Sequence, residues 1–511
     1  MLTDGKRIAF VGSSAEVMKR CDASVRMIDA RGCFVTPGFI DSHIHFLDGG
    51  LGLSSVQLRD ASTPDEFIHR IAEFARGKPR GTWIRNGDWD HELWGGELPS
   101  KEWIDRYTPD HPVWVRRVDG HMTLANEAAL RAAGVSRATS EVVGGTIVRD
   151  STGEPTGILK DNAQWLVDRA APHYSDAELD AALDAAMRFV ASKGVTAVHH
   201  MGSWEDLRVF ERANSNRSLT TRIYAAVPID TWERLRDYVA EKGRGDDWLR
   251  IGALKGFVDG SLGSHTAAML EPFADAPDDR GLFVNSREDL YRWTKGGDAA
   301  GLHMIVHAIG DSANRLQLDI YERVAQENGP RDRRFRVEHA QHLAPSDVPR
   351  FGTLGVIASM QPYHAIDDGR WAERVIGHER AKLTYATRAL LDSGARIAFG
   401  SDWFVAPPTP LEGICAAVTR RTLDGKNPDG WIPEQRISVE QALRAYTRDA
   451  AFASFRESDT GTIERGKFAD FVILDRDLMQ IAPETIADAR VLATGVGGRI
   501  VYEDRDNSNW S

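Results

Sequence analysis

Phe34-Val-Thr-Pro-Gly-Phe-Ile-Asp-Ser-His-Ile-His-Phe46 is a near-continuous apolar run that ends in a His-x-His pair, His43 and His45. Strand periodicity is two, so both imidazoles point to one face of a strand. Imidazole nitrogen is a favoured ligand for zinc and similar metals. Two histidines on a strand are more often structural or exposed, so the pair alone is a weak signal. The Pro-Gly-Phe-Ile-Asp leading into it strengthens the reading, because a buried strand would carry the pair inward.

Seven further short apolar runs follow along the chain: Gly194–Gly202, Arg222–Pro228, Leu249–Gly260, His303–Asp311, Phe335–Gln341, Val356–Pro362 and Arg396–Trp403. Amphipathic segments separate most of them, as in DAELDAALDAAMRFVASKG (176–194) and DSANRLQLDIYERVAQENG (311–329). Each of these two opens with an Asp suited to cap a helix and closes on a Gly suited to end it. Eight β-like runs with intervening helices predict an α/β fold of the (β/α)₈ TIM-barrel type. The rival, an open doubly wound sheet, usually shows a Gly-rich phosphate turn after its first strand, and none is present.

The spacing is uneven. About 150 residues separate the first two runs, too long for a plain loop. That stretch is rich in aromatics and turn signals, and predicts strands plus some helix inserted over the barrel mouth. The chain ends read as one further unit. GKRIAFVG and SVRMIDARGCFVTPG precede the barrel, and GTIERGKFADFVILDRD and VLATGVGGRIVYED follow it. Their short β-like pieces predict a small β-sandwich built from both termini. The expected divisions are 1–36 for its first part, 37–456 for the barrel with an insertion over about 47–175, and 457–511 for its second part. The tail RDNSNWS (505–511) reads as frayed.

Of the 511 residues, 42% are hydrophobic and 27% charged, the balance of a soluble globular protein. Net charge is −12, which disfavours nucleic acid as a partner. The cysteines, Cys21, Cys33 and Cys415, are few, odd in number and far apart. They imply no disulfide framework and suit a reducing cytosol. No signal peptide is visible at the start, and no run of about 18 apolar residues could span a bilayer.

His307, His339 and Asp402 end later β-like runs, as His43 and His45 end the first. Each alone reads as a satisfied buried polar group or a helix cap. Together they fall at strand C-termini, where barrel enzymes collect catalytic groups. Lys255 lies inside the apolar run ALKGFVDGS, where a lysine is costly unless paired, neutral or modified.

PGFIDSHIHF, LKGFVDGSLGSHTA, HAIGD, VEHAQH and FGSDW together resemble the amidohydrolase superfamily. More narrowly they resemble its amidohydrolase-3 branch, which includes N-substituted formamide deformylases. The resemblance runs over nearly the whole chain, the terminal phrases included. It implies two divalent cations, zinc first and iron or manganese next. His43 and His45 would bind the more buried cation, and His307 and His339 the second. Lys255 would bridge the two as a carbamate. Asp402 would touch a metal and take the proton of a bridging water made acidic by the cations, then pass it to the leaving nitrogen.

His121, His364, Asp259, Ser261, Trp89 and Trp403 are the expected substrate contacts, with Trp94 as a further apolar wall. Core packing explains the tryptophans equally well. The chain departs from the branch at His265, where Arg is usual, and at His199-His200, where His-Asp is usual. The expected partner is a small amide, with no nucleic acid and no membrane; a homodimer is left open. Three rival readings stay beside this one. A Ser-His-Asp hydrolase lacks its GxSxG elbow. A one-metal hydrolase would leave Lys255 unmodified and could take another amide or an ester. A metal-binding ligand sensor would have no use for a proton-accepting Asp402.

Overall fold

The computed structural model describes residues 1–504. The tail expected to fray, 505–511, lies outside them. Eight parallel strands form one sheet in chain order: β1 (Phe39–Ile44), β2 (Val195–Met201), β3 (Arg222–Pro228), β4 (Leu249–Phe257), β5 (His303–Ala308), β6 (Arg336–His339), β7 (Ile357–Met360) and β8 (Ile397–Phe399). Each falls within one of the eight apolar runs. Their near-complete burial explains why the runs do not alternate between apolar and polar faces.

The sheet curls until its ends meet. Just past β8, the Asp402 N–H donates to the His43 carbonyl (2.7 Å), and the His45 N–H donates to the Trp403 carbonyl (2.7 Å). These bonds join the two edge strands at their C-terminal ends, beside the His-x-His pair.

Helix α1 (Asp176–Ser192) leads into β2, and its Leu179, Leu183, Ala186 and Val190 pack with Phe39, Ile44 and Val195 in the main core. Its cap is Ser175, one residue before the expected Asp. The Ser175 hydroxyl accepts from the Glu178 N–H, and the Glu178 carboxylate accepts from the Ser175 N–H. A serine–glutamate box satisfies two orphan N–H groups at once, which a lone Asp does not. Helix α2 (Asp311–Asn328) also differs: Gly310 precedes it without a side-chain cap, and Asp311 instead accepts from the Leu270 N–H (2.8 Å).

The insertion carries a five-stranded mixed sheet, in the order Ile84–Trp89, Val113–Arg117, Met122–Ala125, Pro155–Asp161, Gly145–Arg149. It has its own core around Phe67, Ile71, Trp89 and Val115. The termini meet in an antiparallel sheet ordered Arg499–Glu503, Val491–Val496, Phe471–Leu474, Phe34–Pro37. A hairpin of Leu2–Asp4 and Arg7–Phe10 joins this unit through an Arg7–Phe468 bridge. No helix among the described residues is long and apolar enough to cross a membrane.

Candidate metal centre

His43, His45, Lys255, His307, His339 and Asp402 line one cleft of about 180 Å³ at the C-terminal ends of the barrel strands. His43 is fully buried on β1, and the chain turns at His45 into a short helix, so both rings meet Asp402. The Asp402 Oδ1 lies 3.4 Å from His43 Nε2 and 3.3 Å from His45 Nε2. Lys255 Nζ lies 3.3 Å from His43 Nε2. The His339 ring centroid is 4.9 Å from that of His43 and 4.6 Å from that of His307. His339, the last residue of β6, and Asp402, just past β8, both sit at left-handed backbone angles, φ 71° and 60°. Such angles are rare outside glycine and gather at functional sites.

The outer nitrogens of these rings are engaged. His43 Nδ1 meets Glu338 Oε2 at 2.5 Å, His339 Nδ1 meets Gln361 Oε1 at 2.8 Å, and His307 Nε2 donates to the Gly260 carbonyl at 2.9 Å. This is the support usual for metal-binding imidazoles: the second bond fixes the tautomer and the ring plane. Arg336 clamps Glu338 in turn, Nε to Oε1 at 2.8 Å and Nη2 to Oε2 at 3.0 Å. The His43–Glu338–Arg336 chain went unread in the sequence. Its trace is there: Arg336 and Glu338 stand two apart in one short strand, so their side chains share a face.

Burial, reinforced by the charge of Lys255, holds His43 well below the usual histidine range. Burial and neighbouring cationic groups do the same to His307 and His339. All three are therefore neutral donors at pH 7. Burial pushes Lys255 down to about 8, with Glu338 and Asp402 opposing the shift. For Asp402 burial works upward, but the adjoining imidazoles of His43 and His45 outweigh it and hold the carboxyl below the usual carboxylate range.

Does this donor set fit a cation? Asp402 Oδ1 is buried without a hydrogen-bond partner, as is His364 Nε2. An ionised oxygen left unpartnered in the interior is costly unless a cation occupies the gap. Donor atoms of His43, His339 and Asp402 lie within 4.8 Å of one another. Neutral imidazoles and a carboxylate suit zinc or a similar divalent ion. The residues fit.

His121, His364 and Ser261 line the same cleft. His121 Nδ1 bonds Asp161 Oδ1 at 2.6 Å. That partner overcomes burial and raises His121 above the usual histidine range. The His364 ring lies parallel to that of His339, centroids 6.4 Å apart.

Four expected contacts are placed elsewhere. Asp259 is sealed beneath the floor, accepting from the N–H groups of Ala268 (2.8 Å), Ile309 (3.0 Å) and Gly310 (2.8 Å). Three converging backbone donors draw its carboxylate inward and away from the cleft. Trp89 is buried in the insertion core with Nε1 donating to the Val115 carbonyl, and Trp94 packs on Phe67 and Trp103. Trp403 turns outward against Phe189, and its neighbour Phe404 forms the apolar wall instead.

The insertion contributes a polar rim. Arg117 is buried between Asp90 (3.1 Å) and Asp119 (2.7 Å), and Asp119 accepts from Ser264 Oγ (2.8 Å). The departures from the branch pattern fall outside the cluster. His199 accepts from Arg336 (2.9 Å), His200 bonds Asp206 (3.1 Å), and His265 pairs with Asp275 (3.1 Å).

Residues 26–502 match the model of a family described as the amidohydrolase family. The protein LONG AFTER FAR-RED 3 of Arabidopsis thaliana is 43% identical over 97% of this chain and 87% of its own. An N-substituted formamide deformylase of Arthrobacter pascens is 29% identical over 98% of this chain and 94% of its own. Among solved structures, an uncharacterized metal-dependent hydrolase of Pyrococcus horikoshii superposes with a TM-score of 0.75. It is 28% identical and covers 94% of each chain.

Proposed function

Because this chain belongs to the amidohydrolase family, in its amidohydrolase-3 branch, we propose that it hydrolyses the C–N bond of a small amide of the N-substituted formamide class. The observation that carries the reading is the cluster itself. Four imidazoles, a buried lysine and a carboxylate with an unpartnered oxygen meet in one cleft at the barrel mouth.

His43, His45, His307, His339 and Asp402 would hold two divalent cations, with zinc the first choice. Bound there, the cations supply Lewis acidity and make water a nucleophile near neutral pH. Lys255, neutral in part at pH 7, would add CO₂ at Nζ and lose a proton, and the anionic carbamate would supply oxygen ligands to the cations. Asp402 accepts the proton of the attacking water and delivers it to the leaving nitrogen. His121, anchored by Asp161 and raised by it above the usual histidine range, donates to the substrate carbonyl oxygen as negative charge develops there. The net reaction turns an amide and water into an amine and a carboxylic acid. The deformylase relative, at 29% identity, supports a formyl acyl group. The proposal places the enzyme in the cytosol, where Cys21, Cys33 and Cys415, unpaired in the structure, stay reduced.

The test is metal analysis with turnover on a panel of formamides, acetamides, lactams and esters. The expectation is about two metal ions per chain and a loss of kcat of about 100-fold or more in His43→Ala and Asp402→Asn. Full activity in both variants would overturn the assignment. The tight grouping of His43, His339 and Asp402 favours a one-metal form as the second reading. A stoichiometry near one, with an unmodified Lys255 in mass spectra recorded without acid, would select it.

A further inference from the structure

The far end of the barrel holds a second polar recess. Tyr224 and Arg250 stand side by side near the starts of β3 and β4, and His303 opens β5. Their side chains meet at the N-terminal mouth, opposite the metal centre. A cleft of about 270 Å³ opens there, lined by these three with Arg244, Arg331 and Phe455 among others. The chain as a whole carries a net charge of −12, so a recess lined by arginines runs against the overall balance.

The floor of the cleft is neutral. His303 Nε2 lies 2.7 Å from the Arg334 carbonyl, which can only accept, so that nitrogen holds the ring proton. His303 Nδ1 then accepts from the Tyr224 hydroxyl, 3.0 Å away. Burial pushes His303 down to about 3, so the ring stays uncharged. The positive charge of the cleft belongs to Arg244, Arg250 and Arg331.

The protein answers that charge only in part. Arg331 meets Asp298 at 3.1 Å, but the same carboxylate also serves Arg333 at 3.0 Å. Asp332 borders the cleft and is engaged by Arg334 at 2.9 Å. Among the described residues, Arg244 and Arg250 form no ion pair; they donate instead to the carbonyls of Gly301 (2.8 Å) and Phe455 (3.4 Å). A guanidinium has five N–H donors, so most of theirs are left for a ligand. Two of the groups also converge. A Cβ built on Gly301 would lie 3.6 Å from Arg331 Nη1 and 3.9 Å from Arg244 Nη2, and one built on Gly252 would overlap Arg244 Nη1. The two glycines leave the space in which the guanidiniums approach each other. Burial and the repulsion of Arg333 and Arg244 draw Arg331 below the usual arginine range, against the pull of Asp298. Like charges gathered in this way repel, and an anion between them turns the repulsion into attraction.

We propose that this cleft binds a phosphate group, free or carried by a small metabolite, with Arg244, Arg250 and Arg331 as its ligands. Phosphate brings up to two charges and at least three acceptor oxygens to three guanidinium forks, where a carboxylate brings one charge and two oxygens. A cavity of roughly 150 Å³ accepts benzene, so this cleft has room for the phosphate and a small carrier against the Phe455 ring. Bound there, the anion would tie together the segments that enter β4 and β6. That is a stabilising role, as expected at the N-terminal face of a barrel, and it is independent of the amide reading.

The test is calorimetric titration of the metal-loaded protein with sodium phosphate, glycerol 3-phosphate and malonate, at an ionic strength held constant with chloride. The expected dissociation constant is about 1 mM or lower for at least one of the two phosphates. Arg244→Gln and Arg250→Gln should each weaken that binding about ten-fold or more, the loss of a charge-assisted contact, with metal content and turnover unchanged. Arg244 lies on a loop, so its replacement tests the site even if Arg250→Gln fails to fold. Tighter binding of the ester would identify a metabolite as the source, and tighter binding of free phosphate the ion itself. Phosphate can also reach the metal centre, and the variants separate the two places. Binding unchanged in both would overturn the proposal. So would no binding of either phosphate at about 10 mM, or tighter binding of malonate than of both.

Discussion

Glu338 shows how a residue that need not touch a metal can govern one. Its carboxylate orients His43 through Nδ1, and Arg336 holds that carboxylate from two sides. Glu338→Gln keeps the shape but removes the charge that makes His43 a stronger donor. The expected result is a metal affinity lower by about 10–100-fold, read by competition with a chelator. An unchanged affinity would show that the Glu338–Arg336 pair serves packing alone. Lys255 gives the pH dependence. Its amine is protonated below about 8 and neutral above, and only the neutral form adds CO₂. Metal uptake by stripped protein, at fixed dissolved CO₂, should therefore rise with pH and level off above about 8. A flat profile from pH 6 to 9 would remove the proposed carbamate. The histidines at the strand ends and Asp402 were legible as single letters because polar groups stand out at the ends of apolar runs. Asp259, Trp89, Trp94 and Trp403 were misread because a side chain's direction past a strand end depends on the partners that draw it. No sequence period encodes those partners.

The barrel strands were readable as elements because each is buried on both faces and shows as a short run of apolar residues. Helix starts were less so: a capping box places Ser175, not Asp176, at the head of α1. The join between the first and last strands depends on Gly400. A Cβ built there would lie 2.4 Å from the His43 backbone nitrogen. Gly400→Ala must push β8 from β1 at the point where Asp402 meets His43. Overpacking of this kind costs about 1–3 kcal/mol. Both the melting temperature and the metal content should fall together. A variant with normal metal content and a normal melting point would show that the edge has slack.

At the scale of the molecule, the two chain ends close on the barrel through one buried ion pair. Arg222, at the start of β3, donates to Asp470 from Nε (2.7 Å) and Nη2 (3.0 Å), and Asp470 also accepts from the Gly497 N–H (2.7 Å). Removing one partner of a buried pair strands the other charge, at a cost of about 3–5 kcal/mol. Asp470→Ala should lower stability to denaturant by that order, with hydrogen exchange rising first in 471–496. Uniform exchange across barrel and terminal sheet would contradict this. By itself the sequence pointed to the barrel, to the two ends forming one unit, and to six candidate polar side chains, five at strand ends and Lys255 inside a run, because apolar periodicity and misplaced polar letters are local properties. Only the tertiary structure decided that those six share a cleft with Phe404 and the buried Arg117, that Glu338 supports His43, and that Arg244, Arg250 and Arg331 line one cleft at the far end of the barrel. Those facts depend on the angle at which distant strands and the insertion meet. That angle is set by packing across the whole core and not by any stretch of chain.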